Sequence, residues 1–127
     1  MPRTKEQQRS AFALQRINDF GANGVPKDDA NFIVGTPTMI LTNGVAQTMA
    51  FLLSKQKGDA VVKEVKVFKI LESWLAKEIP ALTGKEGKQF LMQFAKLEQE
   101  DYLRAQQEAL ALLQWLKRYA RAFQNEV

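Results

Sequence analysis

The side chains able to do chemistry here are carboxylates, lysines and arginines, because the 127-residue chain contains no histidine and no cysteine. Lack of histidine removes the commonest general acid or base and the commonest transition-metal ligand. Lack of cysteine removes disulfides and thiolate zinc sites, and is compatible with a reducing compartment. No Walker loop, dinucleotide fingerprint or nucleophile elbow is present. Carboxylates alone can bind magnesium or cleave glycosides, and they cluster at Asp28-Asp29 and at Glu98-Glu100-Asp101. The first pair falls in a polar turn read at Val25 to Asn31. The second lies beside a helix start, where acids favour the positive end of the helix dipole. Both clusters read as structural, and the sequence predicts no catalytic residue, no cofactor and no metal.

Cations are more informative. From Tyr102 to Phe123, Tyr102, Ala105, Ala109, Leu112, Leu113, Leu116, Tyr119, Ala120 and Phe123 fall on one broad apolar face of a helix. The opposite arc gathers Arg104, Gln107, Gln114, Lys117, Arg118 and Arg121 without a carboxylate. A second stripe, Lys63, Lys66, Lys69, Ser73 and Lys77, recurs at steps of three or four residues and also reads as one helix face. A net charge of +4 permits attraction to a polyanion without specifying one. Taken alone, the two stripes allow a solvated face or a phosphate-binding face. Trp74 and Trp115 lie within or beside apolar helical faces and read as packing residues rather than platforms for bases. Any nucleic-acid contact is therefore expected to be electrostatic, salt-dependent and weakly base-selective.

The elements that must position these residues are all helical. Thr4 and Gln7 have the spacing of a capping box, after a frayed Met1 and Pro2, and open a helix over about 5–21 that ends at Gly21 and Gly24. Its Arg3, Lys5, Arg9 and Arg16 are partly offset by Glu6 and Asp19 and read as a solvated face. After an apolar turn at Phe32 to Val34, Thr36 and Pro37 supply an N-cap and a first-turn proline, which predicts that a helix restarts at Pro37. Asn43-Gly44 bends it into a second short helix over Val45 to Leu53, the alternative being one helix with an internal glycine at a cost of about 1 kcal/mol relative to alanine. Asp59 is the expected N-cap of a helix from Ala60 to Glu78, whose valines are outweighed by the helical spacing of Phe68, Leu71, Trp74 and Leu75. Pro80 ends that helix, and Thr83 with Glu86 predicts a capping box for another over about Gly84 to Glu98. The expectation is one all-α domain over residues 1–127, a compact bundle of about five to six helices. With no membrane-length apolar run and no signal-peptide core, the chain is expected in the cytoplasm.

Two stretches, PTMILTNGVAQTMAFLLSK at Pro37 to Lys55 and YLRAQQEALALLQWLKRYARA at Tyr102 to Ala122, resemble the small subunit of the type III-B CRISPR effector, the Cmr complex. The resemblance implies a helical, non-catalytic subunit in antiviral defence. It would stack head to tail as a minor filament beside the backbone and large subunits and along guide RNA and target RNA. Guide pairing would then read sequence, so base contacts from this subunit are unnecessary. Lys55, Lys117, Arg118 and Arg121 lie in the matching stretches and are the first candidates for RNA phosphate contact, followed by Arg104. Lys63, Lys66 and Lys69 rest on periodicity alone. Leu103 and Leu110, on the polar arc of the last helix, are candidates for contact with a neighbouring subunit. The competing readings are a protein-only helical adaptor without RNA contact and, more remotely, a carboxylate-dependent nuclease.

Overall fold

A computed structural model describes residues 2–125, so the expectation for Met1 lies outside the described residues. Six α-helices occur among them, with no strand: α1 (Lys5–Arg16), α2 (Lys27–Asn43), α3 (Val45–Ser54), α4 (Lys63–Glu78), α5 (Gly87–Phe94) and α6 (Gln99–Ala122). Single 3-10 turns follow α1 at Ile17–Phe20 and α4 at Pro80–Leu82. The all-α expectation holds, and the differences lie at element boundaries.

α1 opens on the expected capping box: the Thr4 hydroxyl accepts from the Gln7 amide at 3.1 Å, and the Gln7 side chain accepts from the Thr4 amide at 2.8 Å. Its α-helical part stops at Arg16, and the chain tightens into the 3-10 turn that buries Ile17 and Phe20. The turn read at Val25 to Asn31 is instead mostly helix. Pro26 precedes the first turn of α2, which carries Asp28 and Asp29 at its positive end. Pro37 does not start a helix either; it lies inside α2, and the Thr36 hydroxyl donates back to the Phe32 carbonyl at 2.9 Å instead of capping. Buried Ala30, Ile33, Thr36, Pro37 and Ile40 show why the helix continues. A common packed stripe outweighs the backbone bond that proline cannot make.

At Gly44, φ is +85°, its amide closes α2 onto the Ile40 carbonyl at 2.7 Å, and α3 begins at the next residue, as expected of the bend. α4 starts at Lys63 rather than Ala60, with Val62 and not Asp59 at the N-cap. α5 is shorter than predicted. Thr83 donates to the Ala76 carbonyl at 3.0 Å, and the Gly87 amide at the start of α5 donates to Glu72 Oε2 at 2.6 Å. The acceptor therefore comes from α4, which no local pattern could announce.

α6, about 36 Å long at 1.5 Å per residue, is the central element and packs against α1, α2, α3 and α4. Its Ala105, Ala109, Leu112, Leu113, Leu116 and Ala120 are buried, as the apolar face required. Phe123 lies just past the helix and is 48% exposed, against expectation. Trp74 is fully buried, and Trp115 packs against the core from a partly exposed position. Phe90 joins Phe68 to Phe94, and Phe94 meets Tyr102 edge to face with ring centroids 5.5 Å apart. No helix among the described residues is long and apolar enough to cross a membrane.

Candidate functional site

α2 and α6 run antiparallel, a relation fixed at two points. Arg121 donates to Asn31 Oδ1 at 2.9 Å, and the Val45 amide, just past α2, donates to Gln106 Oε1 at 3.2 Å. The paired helices leave a ridge on each side of their seam: Asn31, Val34, Thr38 and Leu41 on α2, and Leu103, Gln107, Leu110, Gln114, Lys117 and Arg121 on α6. Lys117, Arg118 and Arg121 converge on Val34, lining with Ala122 an open concavity of about 500 Å³. No carboxylate among the described residues lies within ion-pair distance of these cations. Arg121 is held by Asn31 and Gln124, which accept without neutralising it. The other end of the same surface is apolar: Leu41 is 72% exposed, Leu103 49%, and Leu110 is partly buried.

The remaining candidate cations are distributed differently. Lys63 Nζ lies 5.8 Å from the centre of the Phe32 ring on α2, and Lys66 Nζ lies 5.7 Å from the Phe20 ring. Asn31 and Phe32 are consecutive and about 100° apart around the helix, so the Arg121 and Lys63 groups lie against different faces of the N-terminal half of α2. Lys63 is also 3.7 Å from Glu64. Lys69 opens onto a separate concavity shared with Glu72 and Glu86, where its charge is locally offset. Lys55, exposed just beyond α3, leans over Phe51 with Nζ 5.0 Å from the ring centre. Arg104 is exposed on α6, about 20 Å of helix rise before Lys117. The structure therefore brings together Lys117, Arg118 and Arg121, and separately Lys63 with Lys66.

Sequence reasoning treated the α1 cations as a solvated face and missed what two of them do. Arg9 Nε and Nη2 donate to the two Glu108 oxygens at 3.1 and 2.7 Å, and Trp74 Nε1 donates to Glu108 Oε1 at 3.0 Å. Lys5 pairs with buried Glu78 at 2.6 Å. Burial alone pushes the Glu108 carboxyl up, but the Arg9 and Trp74 hydrogen bonds with the charges of Arg9 and Lys5 outweigh it and hold the group below its ordinary range. A signal existed: Glu108 falls beside Ala105, Ala109 and Leu112 on the apolar arc of α6, where an acid needs a partner. On the far side of α4, burial pushes the Glu72 carboxyl up, and the nearby Glu86 adds to that shift against the opposing Gly87 hydrogen bond.

Asp28 and Asp29 occupy the first turn of α2, while Glu100 and Asp101 occupy that of α6. Among the described residues no group of three or more acids has the geometry to hold a metal ion. The arrangement presents cations without a carboxylate partner among the described residues at one end of the α2–α6 seam and exposed leucines at the other. A family model described as CRISPR-associated protein (Cas_Cmr5) matches residues 5–123.

Proposed function

The chain belongs to this family of small subunits of type III-B CRISPR complexes, and from that premise we propose that it is an architectural subunit that holds RNA by charge. Copies stack beside the backbone subunits along guide RNA and target RNA. Lys117, Arg118 and Arg121 neutralise backbone phosphates, and Lys63 with Lys66 extends the cationic track around α2. The carrying observation is the convergence of three cations on Val34, supplied by a helix face with no carboxylate from Arg104 onward except inward-turned Glu108. Phosphate neutralisation needs cations at backbone spacing and no base readout, which suits a complex whose guide reads the sequence. Leu41 and Leu103, exposed at the other end of the seam, supply apolar area for a neighbouring subunit.

Reconstituting the complex with Lys117→Glu, Arg118→Glu and Arg121→Glu tests the assignment. The variant is expected to fold and assemble normally and to retain less RNA, with the difference from the wild type largest at low salt and narrowing as salt rises. Unchanged RNA retention in a normally assembled complex would favour the protein-only adaptor. In the complementary variant, Leu41→Asp with Leu103→Asp, the expected loss is of incorporation into the complex.

A further inference from the structure

α1 is attached unlike the other helices. The only side chain of its own that it buries fully is the small one of Ala13, with Phe12 tilted onto Trp74 at 5.1 Å between ring centroids. α4, by contrast, buries Val65, Val67, Phe68, Ile70, Leu71, Trp74 and Leu75. The rest of α1's attachment is polar: Lys5 to Glu78, Arg9 to Glu108, Glu6 to Trp115 Nε1 at 3.0 Å, and Ser10 to the Tyr119 hydroxyl at 2.6 Å. Directly after it, Ile17 and Phe20 are only 4% and 3% exposed and anchor the chain to the core.

We propose that α1 is a detachable flap, which lifts from α4 and α6 as a unit while the Ile17–Phe20 turn stays docked, and that the Arg9–Glu108 pair sets how often it opens. Opening such a seam rehydrates charges that were costly to bury, and of α1's own apolar side chains it exposes only Ala13 fully, with the Phe12–Trp74 contact. The helices with large apolar faces open only with the whole domain. The groove that α1 leaves contains Trp74 flanked by the carboxylates Glu78 and Glu108, which Lys5 and Arg9 pair with when α1 is docked.

The absence of cysteine makes the test direct, since one introduced thiol reports one site. Ala13→Cys places it under α1, and Val45→Cys places it in the fully buried start of α3. Without denaturant, the Ala13→Cys thiol is expected to react with a small disulfide reagent at least about tenfold faster than the Val45→Cys thiol, with a shallow dependence on urea, as local opening requires. Glu108→Gln is expected to raise the Ala13→Cys rate by about tenfold, the effect of weakening one charge-assisted hydrogen-bonded pair. Leu52→Ala, or the milder Phe90→Leu, is expected to speed labelling of Val45→Cys and leave Ala13→Cys unchanged. Amide exchange of the unsubstituted chain provides an independent reading, with residues 9–16 expected to exchange ahead of residues 67–75. Equal rates with equally steep urea dependence at both thiols, or acceleration of both by the core substitutions, would overturn the proposal.

Discussion

Glu108 shows how one side chain can hold three elements together. Its carboxylate accepts from Arg9 on α1 and Trp74 on α4 while its own backbone belongs to α6. Removing its charge weakens hydrogen bonds to a cation in a setting where its side chain is 10% exposed. Glu108→Gln is therefore expected to lower stability by about 2 kcal/mol at pH 7. Because the folded protein holds this carboxyl below its ordinary value, its stabilising contribution is complete above the unfolded pKa and is lost as pH falls through the folded one. Urea unfolding from pH 7 to pH 3 should show the wild type and Glu108→Gln converging below about pH 4.5. A constant gap across that range would assign the difference to packing. The position of Glu108 within an apolar arc was legible in the sequence. Its partners were not, since Arg9 and Trp74 stand 99 and 34 residues away and meet it only through tertiary packing.

Between elements, the same distinction separates what sequence revealed from what it concealed. The capping box of α1, the break at Gly44 and the stop before Pro80 are encoded within a few residues and were legible. The continuity of α2 through Pro37 was not, because burial of Ala30, Ile33, Thr36 and Ile40 against other helices outweighs a local stop signal. α5 is the sharpest case: Glu72 on α4 accepts its first amide, replacing the predicted local cap. Burial and Glu86 both oppose the charge that Glu72 carries there. Glu72→Gln keeps an acceptor for Gly87 and removes that charge, so the variant is expected to melt above the wild type at pH 7. Since the folded pKa is raised, the wild-type penalty applies above it and disappears as pH falls toward the unfolded value. The thermal advantage should then vanish near pH 4. Glu72→Ala, which leaves the Gly87 amide without its acceptor, is expected to melt below the wild type at both pH values.

Across the whole molecule, cations and leucines are sorted to opposite ends of the α2–α6 seam, and the charge end is continued around α2 by Lys63 and Lys66. A strand following only the first group would meet Lys117, Arg118 and Arg121; one wrapping α2 would meet both groups. Counterion release separates these paths, because the slope of log affinity against log salt for single strands is about −0.7 per neutralised phosphate. If each cation neutralises one phosphate, changing Lys117, Arg118 and Arg121 to Gln should flatten the slope by about 2. Changing Lys63 and Lys66 to Gln should flatten it by a further 1.4 or so if the strand wraps α2, and leave it unchanged if it does not. Aligned copies raise effective concentration without altering the slope contributed by each one. The titration is therefore best made on the assembled complex, with the isolated chain beside it. A slope that none of these substitutions changes would place the phosphates on other subunits and leave this chain's cations to keep the surface hydrated.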